Sequence, residues 1–279
     1  MPELPELEAF VIAQRERLTA EPIEDVPLVH FATMKTFDPA PATLAGQRLT
    51  AVGRRAKRLL FTAEDGLTLV IHPMSAGRLT VGTKRMKSAV LVVKFASGLE
   101  LVLAEPGSKR RASAWLLDPA GLEAELSGIG PEPLDPAFTV EALAATLAAH
   151  PGQLHATLRE QRAIAGIGRA FANEILWAGK LAPFQRTATM SDEQMLALHS
   201  AIVTTLSEAI ERLVPLATDG LVGNSKRGHA VHNKLGEACP RCGDVIRRVS
   251  FEEHTIYYCA TCQTGGKVLA DRRMSRLLR

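Results

Sequence analysis

The chain has 279 residues, with 33 Lys+Arg against 30 Asp+Glu, a formal net charge of +3, and 46% hydrophobic residues. That composition suits a folded protein and excludes a disordered one, and the lack of any run of about 18 apolar residues excludes a membrane-spanning helix. The charge is segregated: residues 222–279 hold 11 Lys+Arg and 5 Asp+Glu, whereas residues 1–221 hold 22 and 25, so polyanion binding is expected of the C-terminal part.

The chain opens Met1-Pro2-Glu3-Leu4-Pro5-Glu6, with Glu8 following. A secretion signal needs a basic stretch and an apolar core at that place, so a cytoplasmic protein is expected. Pro5 suits the first turn of a helix running to about Leu18, and acidic residues also suit that turn. The stretch therefore reads as a plain helix start. It also admits chemistry. Removal of Met1 would leave Pro2 with a secondary amine that is partly unprotonated near neutrality. Such an amine can attack an aldehyde-like carbon to form a cationic iminium. Glu3 or Glu6 beside it could then move protons.

From about Gln47 to Leu117 short β-type runs recur: Leu67–Ile71, Ala89–Phe95, Leu99–Leu103 and Ser113–Leu117. Some alternate and some are continuously apolar, as in a two-layer sandwich or barrel. Three basic clusters fall within this half: Arg54-Arg55-Ala56-Lys57-Arg58, Lys84-Arg85-Met86-Lys87 and Lys109-Arg110-Arg111. Each alone reads as a solvated face; together with a basic C-terminus they suggest a phosphate-tracking groove.

Pro131, Pro133 and Pro136 mark a linker, after which the apolar period becomes helical. Four helices are expected, over Thr139–Ala149, Gln153–Ile164, Arg169–Gly179 and Asp192–Leu213. His150-Pro151 stops the first, and Ser191-x-x-Gln194 is a capping-box start for the last. Between the second and third lies Ile164-Ala165-Gly166-Ile167-Gly168-Arg169. It serves either as a plain interhelical turn or as a helix start whose amides bind phosphate.

The four cysteines fall as Cys239-x2-Cys242, sixteen residues, then Cys259-x2-Cys262. Two such turns complete a tetrahedral Zn²⁺ site, and β-prone Val245–Val249 and Thr255–Tyr258 make a zinc ribbon of it. One structural zinc ion is expected; the alternatives are a redox dithiol pair or chance spacing.

Taken together, these residues resemble the formamidopyrimidine-DNA glycosylase / endonuclease VIII family of base-excision repair enzymes. The motifs stand in family order over nearly the whole chain. They are Pro-Glu-Leu-Pro-Glu at 2–6, Arg-Arg-Ala-Lys at 54–57, His72-Pro73-Met74-Ser75, Gly166-Ile167-Gly168 with Asn173-Glu174-Ile175-Leu176, and the cysteine finger. The resemblance implies an α+β fold: an N-terminal helix plus a two-layer β-sandwich over 1–130, a helical helix–two-turn–helix domain over 131–222, and a zinc finger with basic tail over 223–279. It implies a bifunctional DNA glycosylase and abasic-site lyase, acting as a monomer on damaged double-stranded DNA, with no membrane partner.

By the same resemblance Pro2 is the nucleophile at C1′, Glu3 the general acid/base, Glu6 its support and Lys57 a holder of the flanking phosphates. Met74 matches a wedge that fills the space of a flipped base. Arg110, Arg111, Gly168, Arg169, Asn173 and His254 are the expected DNA contacts. Three positions depart from the family pattern: Ala112 replaces the aromatic after two arginines, Arg169 replaces asparagine after Gly-x-Gly, and His254 replaces an arginine. They motivate an alternative, a non-catalytic protein that binds damaged or abasic DNA on the same scaffold. A zinc-ribbon factor of transcription or RNA processing is a third reading. His72-Pro73-Met74-Ser75 leans toward oxidised purines and Glu174-Ile175-Leu176-Trp177 toward oxidised pyrimidines. The tail from Gly265 to Arg279 is either a further DNA contact or a solvated helix.

Overall fold

In a computed structural model of the chain, the structure describes residues 1–27, 30–83, 86–107, 110–223, 228–250 and 255–270. These form two compact units, one of residues 1–128 and 209–226, the other of 129–208 and 227–279.

Helix α1 (Leu4–Thr19) opens the first unit, with Glu3 as its N-cap, Pro5 in the first turn and Arg17 in the last. Leu7, Phe10, Val11 and Leu18 share the face turned to the core and are almost fully buried. Gln14 is buried too, and its side-chain amide donates to the carbonyls of Ala217 and Thr218. A buried amide left without such acceptors would be costly, which is why a polar residue is tolerated there.

Eight strands follow: β1 (Ile23–Asp25), β2 (Leu49–Arg55), β3 (Arg58–Ala63), β4 (Thr68–His72), β5 (Arg78–Gly82), β6 (Ala89–Phe95), β7 (Glu100–Ala104) and β8 (Ser113–Leu117). They make two antiparallel four-stranded sheets, ordered β1-β6-β7-β5 and β2-β3-β4-β8. One apolar core joins α1 to the inner faces of both sheets, through Val52, Leu59, Phe61 and Ile71 on one and Leu79, Val90, Leu101 and Leu103 on the other.

The contrast between alternating and continuous apolar runs has a structural cause. In β3, Leu59, Phe61 and Ala63 face the core and the residues between them are less buried. In β6 both faces are covered, since Val92 packs with Ala89, Val102, Ala104 and Met86 away from the main core. The outer edge of β5 is covered by residues 219–221: Val81 N–H donates to Asp219 O at 3.0 Å and Leu221 N–H to Leu79 O at 2.9 Å. This arrangement blunts an exposed sheet edge.

Helix α2 (Pro119–Leu126) completes this run, capped by the Asp118 carboxylate on Gly121 N–H at 2.7 Å. The apolar period does not reveal it, because none of its residues is buried. The remaining helices are α3 (Val140–Ala149), α4 (Leu154–Arg159), α5 (Arg169–Ala178) and α6 (Asp192–Leu213). Thr139 caps α3, and Ser191 with Gln194 forms the anticipated capping box before α6. The expected helix over 153–164 is shorter. It ends at Arg159 because Glu160 turns to extended geometry and Gln161 captures the following turn, accepting Gly166 N–H and donating to Ile167 O. Ala163 and Ile164 are buried within that turn, so their apolar character continues the pattern without continuing the helix.

The C-terminal part pairs β9 (Ile246–Ser250) with β10 (Thr255–Cys259), followed by a single helical turn α7 (Ala260–Thr264). Among the described residues no helix is long and apolar enough to cross a membrane.

Gly220 has φ +136°, and a Cβ there would stand 2.1 Å from Leu79 O and 2.7 Å from Thr80 Cα. Gly220→Ala should therefore destabilise the protein by about 1–3 kcal/mol, through a disfavoured backbone conformation and displacement of the edge-covering segment. Thermal denaturation measures this; an unchanged midpoint would contradict the described packing.

Candidate active site and metal centre

One end of the β2-β3-β4-β8 sheet gathers most of the residues singled out in the first unit. Arg55 pairs with Arg58 across a two-residue turn formed by Ala56 and Lys57, and Ala56 holds φ +50° to close it. On the neighbouring strands His72 pairs with Ser113. The antiparallel register thus sends the chain after His72 and the chain before Ser113 out of the same end. Met74 leaves β4 there, and Arg111 enters β8 there.

The N-terminal end of α1 lies toward this same edge. Arg15 Nε donates to Val52 O at 3.1 Å, and about two turns nearer the helix start Glu8 pairs with Arg54 at 2.7 Å. Continuing in that direction leads from Arg54 to the Ala56-Lys57 turn and from Glu8 to Pro2 and Glu3. All three acidic or nucleophilic candidates are sequestered: Pro2 is buried, Glu3 is 4% exposed and Glu6 is fully buried. The Glu6 carboxylate accepts the Glu3 N–H at 2.8 Å, which fixes the peptide that follows Pro2. Lys57 is also buried, at 5% exposure.

His72 belongs to this cluster as well. Burial first, then the charges of Arg58 and Lys57, lower its pKa from 6.5 to about 4, so the ring is neutral at pH 7. Its Nδ1 accepts the Met74 N–H at 3.1 Å, within a turn in which Met74 takes φ +52°. Left-handed geometry is unfavourable for methionine, and the neutral imidazole holds it. The turn tolerates no side chain at Gly77, where a Cβ would sit 2.2 Å from Pro73 O. Met74 is only partly buried and is no member of the core. Arg110 and Arg111 are exposed, while Glu105, buried behind them, accepts the N–H groups of Arg111 and Ala112 at 2.7 and 2.9 Å. Ala112 itself packs in the core.

In the second unit Gly168 is the N-cap of α5 and is buried, and Arg169 is exposed beside it. Asn173 is buried on α5, where its amide bonds His232 Nδ1 at 2.8 Å and accepts Tyr257 N–H at 3.4 Å. Glu174 accepts three consecutive main-chain N–H groups, of Ala230, Val231 and His232, at 2.7–3.0 Å. His254, Lys84, Arg85, Lys109 and residues 271–279 lie outside the described residues.

The sulfur atoms of Cys239, Cys242, Cys259 and Cys262 all lie within 4.8 Å of one another, with Cys242–Cys259 at 3.4 Å and Cys239–Cys262 at 3.9 Å. Tetrahedral zinc with bonds of about 2.3 Å places its sulfurs about 3.8 Å apart, so the donor set fits one structural Zn²⁺. Cys239 and Cys242 are carried on a tight turn in which Gly243 takes φ +78°, and Cys259 and Cys262 sit at the start of α7.

Pro2, Glu3, Glu6 and Lys57 are thus all buried, and the four thiols converge as their spacing implies. The structural duties of His72, Glu105, Glu174, Trp177 and Arg241 depend on partners that turn geometry and packing supply. The acidic residue within the apolar α5 pattern was the available signal for Glu174, since a buried carboxylate must find donors.

Two outcomes are expected. The unfolded chain takes up a proton at His72 near pH 6.5 and the folded chain only near pH 4, so stability falls as pH drops through that window, by up to about 3 kcal/mol in total. An NMR titration of His72 and denaturation from pH 7 to 4, with His72→Asn as the comparison, measure it; a His72 midpoint near 6.5 would contradict the partly buried, neutral ring. Cys259→Ser should abolish stoichiometric zinc and weaken DNA binding while the α3–α6 helices stay folded, read by metal analysis, DNA titration and circular dichroism. Undiminished affinity would refute a binding role for the finger.

Three family models match the chain: the formamidopyrimidine-DNA glycosylase N-terminal domain over 1–114, the formamidopyrimidine-DNA glycosylase H2TH domain over 129–215, and the zinc finger found in FPG and IleRS over 236–265. The formamidopyrimidine-DNA glycosylase of Chloroflexus aggregans is 34% identical over 273 residues, covering 94% of this chain and 98% of its own. An uncharacterized formamidopyrimidine-DNA glycosylase-like protein of Mycobacterium tuberculosis is 44% identical over 151 residues, 54% of this chain and 94% of its own. Among solved structures, Lactococcus lactis Fpg in complex with DNA containing an abasic site superposes with a TM-score of 0.83 at 25% identity, covering 94% of this chain and 99% of that one. A second complex of the L. lactis enzyme, with N7-benzyl-Fapy-dG DNA, gives 0.84 at 26% identity over 94% of this chain and 100% of that one. With its matching N-terminal domain, H2TH helices and four-thiolate finger, the chain belongs to the formamidopyrimidine-DNA glycosylase family, the DNA-binding glycosylases of DNA repair.

Proposed function

We propose that the chain excises oxidised bases from duplex DNA and cleaves the resulting abasic site, using the Pro2 amine. The observation that carries this reading is the burial of Pro2 and Glu3 at the start of α1, with the Glu6 carboxylate anchoring the peptide between them. Removal of Met1 frees the Pro2 nitrogen, which attacks C1′ while Glu3 protonates the sugar or the leaving base. The base departs, the nitrogen loses its proton, and the C1′–O4′ bond breaks with its oxygen protonated, which leaves an iminium between C1′ and the Pro2 nitrogen that acidifies the C2′ protons. Loss of one of them expels the 3′ phosphate by β-elimination, and δ-elimination then expels the 5′ phosphate.

On this reading Lys57 holds the phosphates flanking the lesion, Met74 fills the space left by the flipped nucleotide and Arg111 faces the orphaned base, with Arg110 on the backbone. Extrusion costs a few kcal/mol, which favours lesions that already weaken pairing. The exposed Arg169 and the N-terminal amides of α5 contact a further phosphate. Asn173, whose amide is spent on His232 and Tyr257, contributes to that interface by holding His232. His254 extends the same interface from the finger. Functionally the chain divides at 1–130, 131–222 and 223–279. It works as a cytoplasmic monomer held at the nucleoid by DNA. The glycosylase relatives weigh against a non-catalytic binding protein, and no observation favours one.

Borohydride trapping on abasic-site duplex tests the chemistry. The zinc-loaded wild type should give a covalent adduct and Pro2→Gly none. Glu3→Gln should lose base release by two or more orders of magnitude, an effect typical of removing a proton-transfer group. Folded, zinc-loaded wild type that traps nothing would overturn the mechanism.

A further inference from the structure

The zinc finger rests on one face of α5. Asn173 and Glu174 hold main-chain groups of the finger, Trp177 and Ala178 meet the first cysteine turn, and Leu181 O, just past the helix, accepts the Gln263 amide at 3.0 Å. The intervals are those of a single helical face. Most of these contacts would support any finger docked in this place. The contact at Trp177 differs, because it reaches a metal ligand.

The Trp177 indole N–H donates to Cys239 Sγ at 3.3 Å. Arg241, two residues on from that cysteine, lies over the indole ring at 4.2 Å from its centroid. Its two terminal nitrogens donate to Trp177 O at 2.8 Å and Ala178 O at 3.2 Å. A closed circuit results: indole to sulfur, sulfur through Pro240 to Arg241, guanidinium back to the negative end of α5. Stacking fixes the ring orientation that aims the N–H at sulfur.

We propose that Trp177 is a positioning residue for the zinc centre, which holds the Cys239 thiolate through its indole N–H and locks the metal-bearing turn to α5. A hydrogen bond to a metal-bound thiolate stabilises its charge and orients its lone pairs, and groups in this role commonly tune metal affinity by about 10–100-fold. Arg241 is the second half of the device. Zinc loss would free the turn that carries Cys239, and with it the cationic cap on the C-terminal end of α5, the helix whose other end carries Gly168 and Arg169.

The chain has two tryptophans, so Trp115→Phe leaves Trp177 as the sole indole reporter in the full-length, zinc-loaded protein. Stripping zinc with a chromogenic chelator should change Trp177 emission on the same time course as zinc appears in the chelate. Zinc departure with unchanged emission would overturn the proposal. Trp177→Phe keeps an aromatic ring for Arg241 but has no N–H; zinc release should accelerate by about 10–100-fold. The thermal midpoint of the zinc-stripped protein should be unaffected by that change. Wild-type release rates would overturn the proposal, and so would an equal loss of stability in the stripped protein, which marks plain packing. If Trp177→Phe does not fold, the emission experiment on the native residue still decides.

Discussion

Strand β4 lies between β3 and β8 in a register that pairs Leu59 with Ile71 and His72 with Ser113. The arrangement of the first unit depends on that pairing. A slip of one residue would turn Leu69 and Ile71 away from the core, and the lost apolar burial keeps the register in place. With the register set, Lys57, His72, Met74 and Arg111 emerge at one sheet end although they span more than fifty residues of sequence. The electrostatic consequence follows from the same geometry. His72 stands beside Arg58 and Lys57 and is held neutral, so it can accept the Met74 N–H rather than repel its cationic neighbours.

The two units use helices differently. In the first, the N-terminal end of α1 is buried around a carboxylate that holds the peptide of Glu3, so the backbone that follows Pro2 is fixed in place. In the second, the buried face of α5 carries Asn173, which holds His232 and Tyr257, and Glu174, which holds the main chain of residues 230–232. Glu174 alone fixes three successive N–H groups. A buried carboxylate with three donors is far less costly than an unpaired one, and it orients the segment leading into the finger. The helix thus serves as the base on which a small metal-dependent module is built. That module has small apolar clusters around Val231, Ile246 and Tyr258 among its described residues, and a small module of this kind relies on its metal for much of its stability.

Legibility in the sequence followed the strength of the local signal. Helix α6 is found where the capping residues and the long apolar period put it, and β6 and β8 have the expected ends, because each has a periodic pattern bounded by turn chemistry. Helix α4 is shorter than its apolar pattern, since Ala163 and Ile164 are buried by a turn rather than a helix. Helix α2 left no trace, having a good cap but no buried face. The cysteines were legible from spacing alone, because two C-x-x-C turns bring four thiolates into coordination range with little help from the rest of the chain. The duties of Glu105, Trp177 and Arg241 were not legible, for each depends on a partner set by packing.

By itself, the sequence determined the α+β composition, the helix at the N-terminus with its Pro-Glu opening, the helical middle, the zinc site and the family. These rest on period, capping and short spacings, which are properties of neighbouring residues. Tertiary structure alone decided that Lys57, His72, Met74 and Arg111 share one sheet end, that His72 is neutral, that Ala112 belongs to the core, and that Trp177 reaches a zinc ligand. Those facts depend on strand register and on which groups lose their water, and both are settled by the collective burial of apolar surface rather than by any local run of residues.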